Sequence, residues 1–275
     1  MWSIARFADI RKYNLHCHTQ FCDGRSSMRE FVDAALGQGF EAIGFTPHSP
    51  VPIESPCNMS REDVAVYLAE IERLRDYAAG RLDIFAGMEV DYLGQEWGPS
   101  NSYISSLPLD YIIGSVHFIP DQNGQLIDID GRFSSFRRKM HSYFDNDIRY
   151  VVNTFFTRSI EMVEAGGFDI MGHLDKVGRN ASLFAPGIED EPWYCGHVET
   201  LIDAIASRGS MAVEINTKVT DDTGRTFPRE RWFTRLLRAG IPIVVNSDSH
   251  YADKLSAGRQ TAFTILHTAR EALCR

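Results

Sequence analysis

Short apolar runs alternate with helical patterns along almost the whole chain. Several of the runs are continuously apolar, as in Ile-Phe-Ala-Gly-Met at 84–88 and Ile-Pro-Ile-Val-Val at 241–245, which is typical of strands buried on both faces. The pattern predicts seven strands, at 12–16, 41–46, 83–90, 110–117, 168–173, 211–216 and 241–247.

Helical patterns fill the intervals between these strands. Ser60 precedes one of them, and Asp63 is placed to complete a variant capping box. Glycines end several of the others, at Gly39, Gly80, Gly166, Gly209 and Gly240. The alternation predicts an α/β protein with a parallel sheet, either open and doubly wound or closed into a barrel. No repeat or linker interrupts the pattern, so we expect a single domain over residues 1–275.

Composition and charge exclude several classes of protein. Of the 275 residues, 44% are apolar and 24% are charged, as in ordinary globular proteins. The formal net charge is −9, and no basic stripe is present, so we expect no nucleic-acid partner. The sequence has no apolar run long enough for a membrane span and no secretory signal over residues 1–11. Five scattered cysteines indicate reduced thiols, and we expect a cytoplasmic protein.

Imidazoles and carboxylates concentrate where six of the predicted strands end. In parallel α/β folds, the carboxyl ends of the strands form the edge where sites are built. Side chains two residues apart on a strand face the same side, so His16 and His18 are expected to converge while Cys17 points away. Asp23 lies in an Asp-Gly turn that can fold back over the first strand end. The full set is His16, His18, Asp23, His48, Glu89, His117, His173, Asp248 and His250.

This set predicts a metal centre. Imidazole and carboxylate without a usable thiolate favour Zn²⁺, Mn²⁺ or Fe²⁺ over Ca²⁺, Mg²⁺ or a structural zinc site. Six histidines and three acids are too many for one ion, so we expect two or three ions, with Glu89 as the bridging ligand. The sequence contains no nucleophile elbow, Walker loop or dinucleotide fingerprint. Three other histidines fall in helical patterns and are interpreted as structural, namely His141, His197 and His267.

The strand-end motifs resemble the motif series of the polymerase-and-histidinol-phosphatase (PHP) superfamily, from about residue 12 to residue 260. Within it, the chain is most similar to the bacterial histidinol-phosphatases. The stretches that carry the likeness include Tyr-Ile-Ile-Gly-Ser-Val-His-Phe at 111–118 and Phe-Asp-Ile-Met-Gly-His-Leu-Asp at 168–175. The resemblance implies a single-domain, distorted (β/α)7 TIM-like barrel that holds a trinuclear centre. The implied ligands are His16, His18, Glu89 and Asp248 for one ion, Glu89, His117 and His173 for a second, and Asp23, His48 and His250 for the third.

The resemblance also implies a phosphate-binding cation shortly after the Gly-His-x-Asp motif. Lys176 and Arg179 compete for this role in the present chain. We expect Arg179 to contribute more, because its planar fork engages two oxygens and Gly178 gives its backbone room to turn back. Lys176 follows Asp175, which is expected to pair with it. Two further cations remain as alternatives, namely Arg25 and Lys218.

The sequence therefore predicts a metal-dependent phosphomonoesterase of histidine biosynthesis that hydrolyses L-histidinol phosphate through a metal-bridging hydroxide. Asp248 or His250 is expected to pass a proton to the leaving oxygen. Glu214 and Asn216 either meet the substrate's ammonium or imidazole, or form a polar pair in the barrel core. The alternatives are a phosphoesterase for nucleotides or nucleic-acid ends and a non-catalytic metal-binding module, and the complete ligand set argues against the latter. The sequence predicts no oligomeric state.

Overall fold

A parallel sheet is the centre of the fold. The structure is a computed structural model, and it describes residues 3–8 and 10–274. The main strands are β1 (Tyr13–Asn14), β2 (Ala42–Phe45), β3 (Asp83–Asp91), β4 (Tyr111–Ser115), β7 (Ile170–Met171), β8 (Ala212–Asn216) and β9 (Ile243–Asn246). They pair in that order, and every pair is parallel. All seven predicted strands are confirmed, each with shorter bounds except the third.

The sheet curls into a nearly closed barrel within a single domain. Its first and last strands meet through a parallel bridge between Cys17 and Ser249. The His18 amide donates to the Ser249 carbonyl over 2.9 Å, and the Ser249 amide donates to the His16 carbonyl over 3.2 Å. Below this bridge, Asn14 Nδ2 donates to Ser247 Oγ over 2.5 Å. A hydrogen bond between side chains therefore joins β1 to the end of β9, in place of backbone hydrogen bonds. The closure confirms the distorted barrel and excludes the open sheet.

Helices cover the outside of the barrel between successive strands. Ser60 Oγ accepts from the Asp63 amide over 3.1 Å and donates to Asp63 Oδ2 over 2.8 Å, but the second helix begins at Asp63 with Glu62 at its N-cap, so the predicted capping box does not form. The five glycines predicted to end helical patterns all have positive φ, as such positions require. The helices are α1 (Met28–Gly37), α2 (Asp63–Ala78), α3 (Ser102–Ser105), α4 (Phe133–Tyr143), α5 (Ile148–Ala165), α6 (Val177–Phe184), α7 (Pro192–Arg208), α8 (Thr220–Thr223), α9 (Phe233–Arg238) and α10 (Arg259–Leu273).

A short antiparallel hairpin follows β4 at the carboxyl edge of the barrel. Its strands are β5 (Phe118–Pro120) and β6 (Leu126–Asp128). The sequence pattern did not predict this hairpin, because strands of three residues are too short to produce a readable period. The chain leaves β6 through residues 129–132 and enters α4. This segment adds side chains to the rim of the barrel next to β4.

The barrel interior is apolar at its amino end and polar at its carboxyl end. Phe7, from the short 3-10 helix Ile4–Ala8, packs with Tyr13, Phe85 and Tyr111 in a buried apolar layer. The imidazoles and carboxylates lie in the layer above. Because the apolar layer excludes water from below, the polar groups are open only toward the carboxyl edge. No helix among residues 3–8 and 10–274 is long and apolar enough to cross a membrane.

Candidate metal centre

Nine side chains converge at the carboxyl edge of the barrel, and they are the nine that the sequence singled out. Seven of them form three overlapping trios, each with its donor atoms within 4.8 Å of one another. The other two, His173 and His250, contact these trios through Glu89 and Asp23. The contacts among all nine divide the donors into three neighbouring groups. Cys17 points into the apolar core between the barrel and its helices, as the strand alternation predicts. The nine are His16, His18, Asp23, His48, Glu89, His117, His173, Asp248 and His250.

The first group gathers at the end of β1. The Nε2 atoms of His16 and His18 lie 3.2 Å apart. Glu89 Oε2 lies 3.4 Å from the first and 3.3 Å from the second. Asp248 Oδ1 lies 3.2 Å from His18 Nε2. Asp248 reaches this position from a left-handed backbone conformation with φ 48, which is rare for a non-glycine residue and typical of functional sites.

The second group uses the other oxygen of the same glutamate. Glu89 Oε1 lies 2.9 Å from His173 Nε2 and 3.7 Å from His117 Nε2. The two imidazole nitrogens are 3.1 Å apart. Glu89 Oε2 also lies 3.2 Å from His48 Nδ1. The two carboxylate oxygens of Glu89 therefore face different sets of histidines, which is the arrangement that a bridging ligand needs.

The third group lies at the rim. Asp23 Oδ1 is 3.3 Å from His250 Nε2 and 3.9 Å from His48 Nε2. The loop that carries Asp23 packs tightly against the end of β1, because a Cβ at Gly24 would overlap the backbone of His18 and Thr19. Only glycine permits this close approach. The turn therefore folds the carboxylate back over the strand end, as its sequence suggested.

Three further side chains hold the donors in place. Glu214 Oε2 lies 2.8 Å from His16 Nδ1, and Asp91 Oδ1 lies 2.7 Å from His117 Nδ1. Such carboxylates fix the tautomer and the orientation of a ligating imidazole. Ser115 Oγ donates to Glu89 Oε1 over 2.7 Å. Asp91 and Ser115 were not predicted from the sequence. Each of them stands two residues from a predicted ligand on the same strand, so strand alternation could have found them.

Glu214 and Asn216 are wholly buried beneath the donors. Asn216 Nδ2 donates to Glu214 Oε1 over 2.8 Å and to Asp248 Oδ2 over 3.1 Å. Glu214 Oε1 also accepts from the backbone amide of His173 over 3.2 Å. Of the two interpretations of this pair, the geometry fits the polar pair in the barrel core and leaves neither side chain open to a substrate.

Burial and neighbouring charges divide the histidines into two classes. Burial lowers the pKa of His48 to about 3, and burial with Lys176 nearby lowers the pKa of His173 to about 4. These imidazoles are neutral at pH 7 and offer a lone pair. Burial also acts to lower the pKa of His16, but Glu214 and Glu89 outweigh it and raise that pKa to about 10. Because a divalent cation would replace this proton beside the carboxylates, metal binding is expected to release protons.

Two buried polar atoms support a fit to metal ions. Among the described residues, Asp23 Oδ1 and His48 Nδ1 are shielded from water and form no hydrogen bond of good geometry, although they lie 3.3 Å from His250 Nε2 and 3.2 Å from Glu89 Oε2. Buried polar atoms without such a bond are rare in native folds, and a bound ion is one common explanation. The donors are imidazole nitrogens and carboxylate oxygens, which suit Zn²⁺, Mn²⁺ and Fe²⁺. The cluster therefore fits a site for more than one metal ion.

Two lysines flank the cluster. Lys176 Nζ lies 3.4 Å from His117 Nε2. Lys218 Nζ lies 3.2 Å from Asp248 Oδ1 and 3.4 Å from His250 Nε2. Each lysine follows a strand at the carboxyl edge, Lys176 after β7 and Lys218 after β8.

Two expectations about the segment after β7 are wrong. Lys176 pairs with Asp130 over 2.8 Å, while Asp175 lies 3.6 Å from Arg225 and accepts from the Arg229 amide over 3.0 Å. Gly178 does not turn the chain back, because it lies within α6 and a Cβ there would press on Glu189 and Tyr194.

The structure leaves two of the predicted basic residues away from the donors. Among the described residues, no hydrogen bond or ion pair joins Arg179 to the cluster, and the exposed Arg25 contacts it only through its backbone amide, which donates to the His250 carbonyl over 2.7 Å.

We expect Asp91→Asn to weaken metal binding by about 10–100-fold, the usual cost of losing a carboxylate behind a ligating histidine. The amide keeps the volume but removes the charge that orients His117. Equilibrium dialysis against a competing chelator measures the affinity. Asp83→Asn is the matched control, because it lies at the opposite end of the same strand and pairs with Arg6. Equal affinities in the Asp91 variant and the wild type would contradict the role of Asp91.

A nearly closed barrel with a buried multi-metal donor cluster at its carboxyl edge defines a metal-dependent type of hydrolase. The family model of the PHP domain matches residues 14–218. The chain therefore belongs to the PHP domain family, as its motifs led us to expect, and it is a phosphoesterase of that family.

Relatives of the chain cover most of its length. A probable histidinol-phosphatase of Deinococcus radiodurans is 28% identical over 239 residues, which are 86% of this chain and 85% of that protein. A histidinol-phosphatase of Bacillus subtilis is 27% identical over 262 residues, covering 88% of this chain and 95% of that protein.

Solved structures share the fold. The histidinol phosphate phosphatase of Lactococcus lactis, in complex with zinc, L-histidinol and phosphate, is 25% identical and has a TM-score of 0.74 over 94% of both chains. A protein of Listeria monocytogenes is 20% identical and has a TM-score of 0.79 over 90% of this chain and 99% of its own, a likeness of fold alone.

Proposed function

We propose that this protein hydrolyses L-histidinol phosphate to L-histidinol and phosphate. The observation that carries the proposal is Glu89, whose two oxygens face two separate sets of histidines. This arrangement suits a centre of several ions for phosphomonoester hydrolysis. The substrate assignment is supported by relatives named histidinol-phosphatases and by the Lactococcus lactis protein that binds zinc, L-histidinol and phosphate.

The implied cofactor is a set of two or three divalent transition-metal ions, which lower the pKa of water and neutralise phosphoryl oxygens when they are bound. The nine side chains at the strand ends would hold these ions. Phosphomonoester hydrolysis is among the slowest uncatalysed reactions, so it demands strong and preorganised electrostatic stabilisation. Glu214, Asp91 and Ser115 supply preorganisation by fixing the donors before the substrate enters.

The two lysines at the rim would bind the phosphoryl group. Lys176 and Lys218 flank the cluster on different sides, so together they can neutralise oxygens that the metal ions do not reach. Asp248 and His250 are the two candidates to pass a proton to the leaving oxygen. Of these, Asp248 lies beside Lys218, which together with His16 holds the pKa of this carboxyl well below its usual range despite burial.

Lys218→Ala and Lys176→Ala should each raise KM for the phosphate ester and lower kcat/KM by at least about tenfold, or ~1.4 kcal/mol. Each change removes a charge-assisted hydrogen bond to a phosphoryl oxygen. Arg179→Ala is the matched control and should have a smaller effect, which reverses the order expected from the sequence. Steady-state kinetics measures the three variants. A larger defect in the Arg179 variant than in both lysine variants would restore Arg179 as the phosphate-binding cation.

The proposed substrate is tested by kcat/KM for L-histidinol phosphate, nucleoside monophosphates and p-nitrophenyl phosphate on metal-reconstituted enzyme. We expect L-histidinol phosphate to exceed each of the others by more than about 10². Preferential hydrolysis of the nucleotides would favour the alternative function, a phosphoesterase that acts on nucleotides. Release of no phosphate from any ester would contradict an enzymatic role.

A further inference from the structure

An acidic side chain outside the donor set lies at the mouth of the cluster. Asp130 follows β6, and its Oδ2 atom pairs with Lys176 Nζ over 2.8 Å. Lys176 Nζ in turn lies 3.4 Å from His117 Nε2. The Asp130 side chain is 31% exposed, so part of it remains accessible to solvent beside the lysine.

The segment that carries Asp130 is fixed against the site. The Ile129 amide donates to the His117 carbonyl over 2.9 Å. Asn180 Nδ2 donates to the Gly131 carbonyl over 3.3 Å and reaches the Ile129 carbonyl at 3.5 Å. The Asp130 amide donates to Asp128 Oδ1 over 2.8 Å. These bonds hold both neighbours of Asp130, so the position of its carboxylate is built into the fold.

A carboxylate at this place works against the binding of phosphate alone. It neutralises Lys176, one of the two lysines proposed to bind the phosphoryl group, and it repels an incoming dianion. An ester that also carries a positive charge near its phosphate would instead bind better, because Asp130 attracts the positive charge while Lys176 attracts the phosphate. In an aminoalkyl phosphate such as L-histidinol phosphate, the amine nitrogen lies two carbon atoms from the ester oxygen, about 3–4 Å away. This separation suits a phosphate on Lys176 and an ammonium on Asp130.

We propose that Asp130 contacts the substrate's ammonium group and makes the enzyme selective for phosphate monoesters whose leaving alcohol carries an adjacent amine. The inference rests on the proposed function for the identity of the natural ester, and it adds the group that recognises the amine. Asp130 is thus a specificity-determining residue, and the Asp130–Lys176 pair forms a zwitterionic contact that matches a zwitterionic substrate.

A purely structural role for Asp130 predicts a different outcome. If Asp130 only oriented Lys176, its loss would weaken every phosphate ester by the same factor, because every ester presents the same phosphoryl group to that lysine. Recognition of the ammonium instead predicts a loss confined to esters that carry the amine. A cycle that combines a protein change with a substrate change separates the two roles.

The experiment compares L-histidinol phosphate with its deamino analogue, 3-(imidazol-4-yl)propyl phosphate, on the metal-loaded enzyme. For Asp130→Asn, kcat/KM for the amine ester should fall at least about tenfold, the scale of a lost hydrogen bond to a charged group. The deamino ester should be hydrolysed as well as before or better, because the repulsion of its phosphate is removed. Asp130→Glu should recover part of the loss for the amine ester. Asp33→Asn is the control and should leave both values unchanged, since Asp33 is exposed on α1 and pairs with Arg29.

An equal loss for both esters would overturn the proposal and leave Asp130 as a residue that positions Lys176. Phosphoethanolamine and ethyl phosphate provide a second matched pair that does not depend on histidinol. If the wild type prefers phosphoethanolamine to ethyl phosphate but does not prefer L-histidinol phosphate to its deamino analogue, the role of Asp130 stands and the proposed substrate fails. If Asp130→Asn loses its cooperative thermal transition, Asp130→Glu is measured with the same substrate pairs instead. A smaller preference for the amine ester than in the wild type then supports the contact, and an unchanged preference rejects it.

Discussion

Glu89→Gln is expected to lower kcat by at least about 10²–10³, the scale seen when one key electrostatic group is removed from an active site. The amide has almost the same volume, so the barrel should keep its packing. It carries no negative charge and only one oxygen, so it cannot bridge the two groups of histidines that Glu89 Oε1 and Oε2 now face. Steady-state kinetics and elemental analysis on the same sample measure both consequences.

Glu41→Gln is the matched control for this variant. Glu41 is exposed and stands just before β2, at the opposite end of the barrel from the donors, so its loss should change neither kcat nor metal content. Near wild-type kcat and metal content in the Glu89 variant would show that Glu89 is not the bridge. The ligand assignment of both groups would then have to be redrawn.

Removal of the metal ions is expected to abolish activity, with a loss of at least about 10³ that Zn²⁺, Mn²⁺ or Fe²⁺ restores. Three of the donors are carboxylates whose negative charges a bound cation stabilises. The apo protein should therefore also unfold at a lower temperature. Ions that bind only the folded state add about 4 kcal/mol of stability at a thousandfold excess over Kd. Dialysis against a chelator, activity assays and calorimetry measure these effects.

Full activity in chelator, with at most one tightly bound transition metal per chain, would contradict a multi-metal centre. A loss of activity that no metal restores, with an unchanged thermal transition, would show that the chelator acts elsewhere. Magnesium or calcium serves as the control ion, since neither suits a donor set of six imidazoles.

The strands and the donors could be predicted from the sequence because both follow local rules. A continuous apolar run identifies a strand buried on both faces wherever it pairs, as for the run at 84–88 within β3. Alternation then places His16 and His18 on one side and Cys17 on the other, without knowledge of the rest of the fold. The carboxyl edge of a parallel sheet gathers the strand ends, so the site followed from the strands.

The basic residues near the donors and their ion-pair partners could not be predicted in this way, because they depend on contacts between distant segments. Lys176 and Arg179 are three residues apart, and linear distance did not decide between them. The fold places Lys176 beside His117 and beside Asp130, which follows a hairpin that the sequence pattern did not predict, whereas Arg179 lies within α6. Likewise, Asp175 could not be matched with Arg225 before the fold brought them together. No periodic pattern encodes such pairs.

The most direct test of the bridged centre is the anomalous X-ray scattering of metal-loaded crystals, recorded at the absorption edge of the bound metal. We expect two or three peaks among the nine donors, with ligand distances of about 2.0–2.2 Å for zinc. We further expect the two oxygens of Glu89 to bind different ions. A single peak, or peaks that leave Glu89 without contact to two ions, would contradict the bridged multi-metal centre on which the proposed phosphatase activity depends.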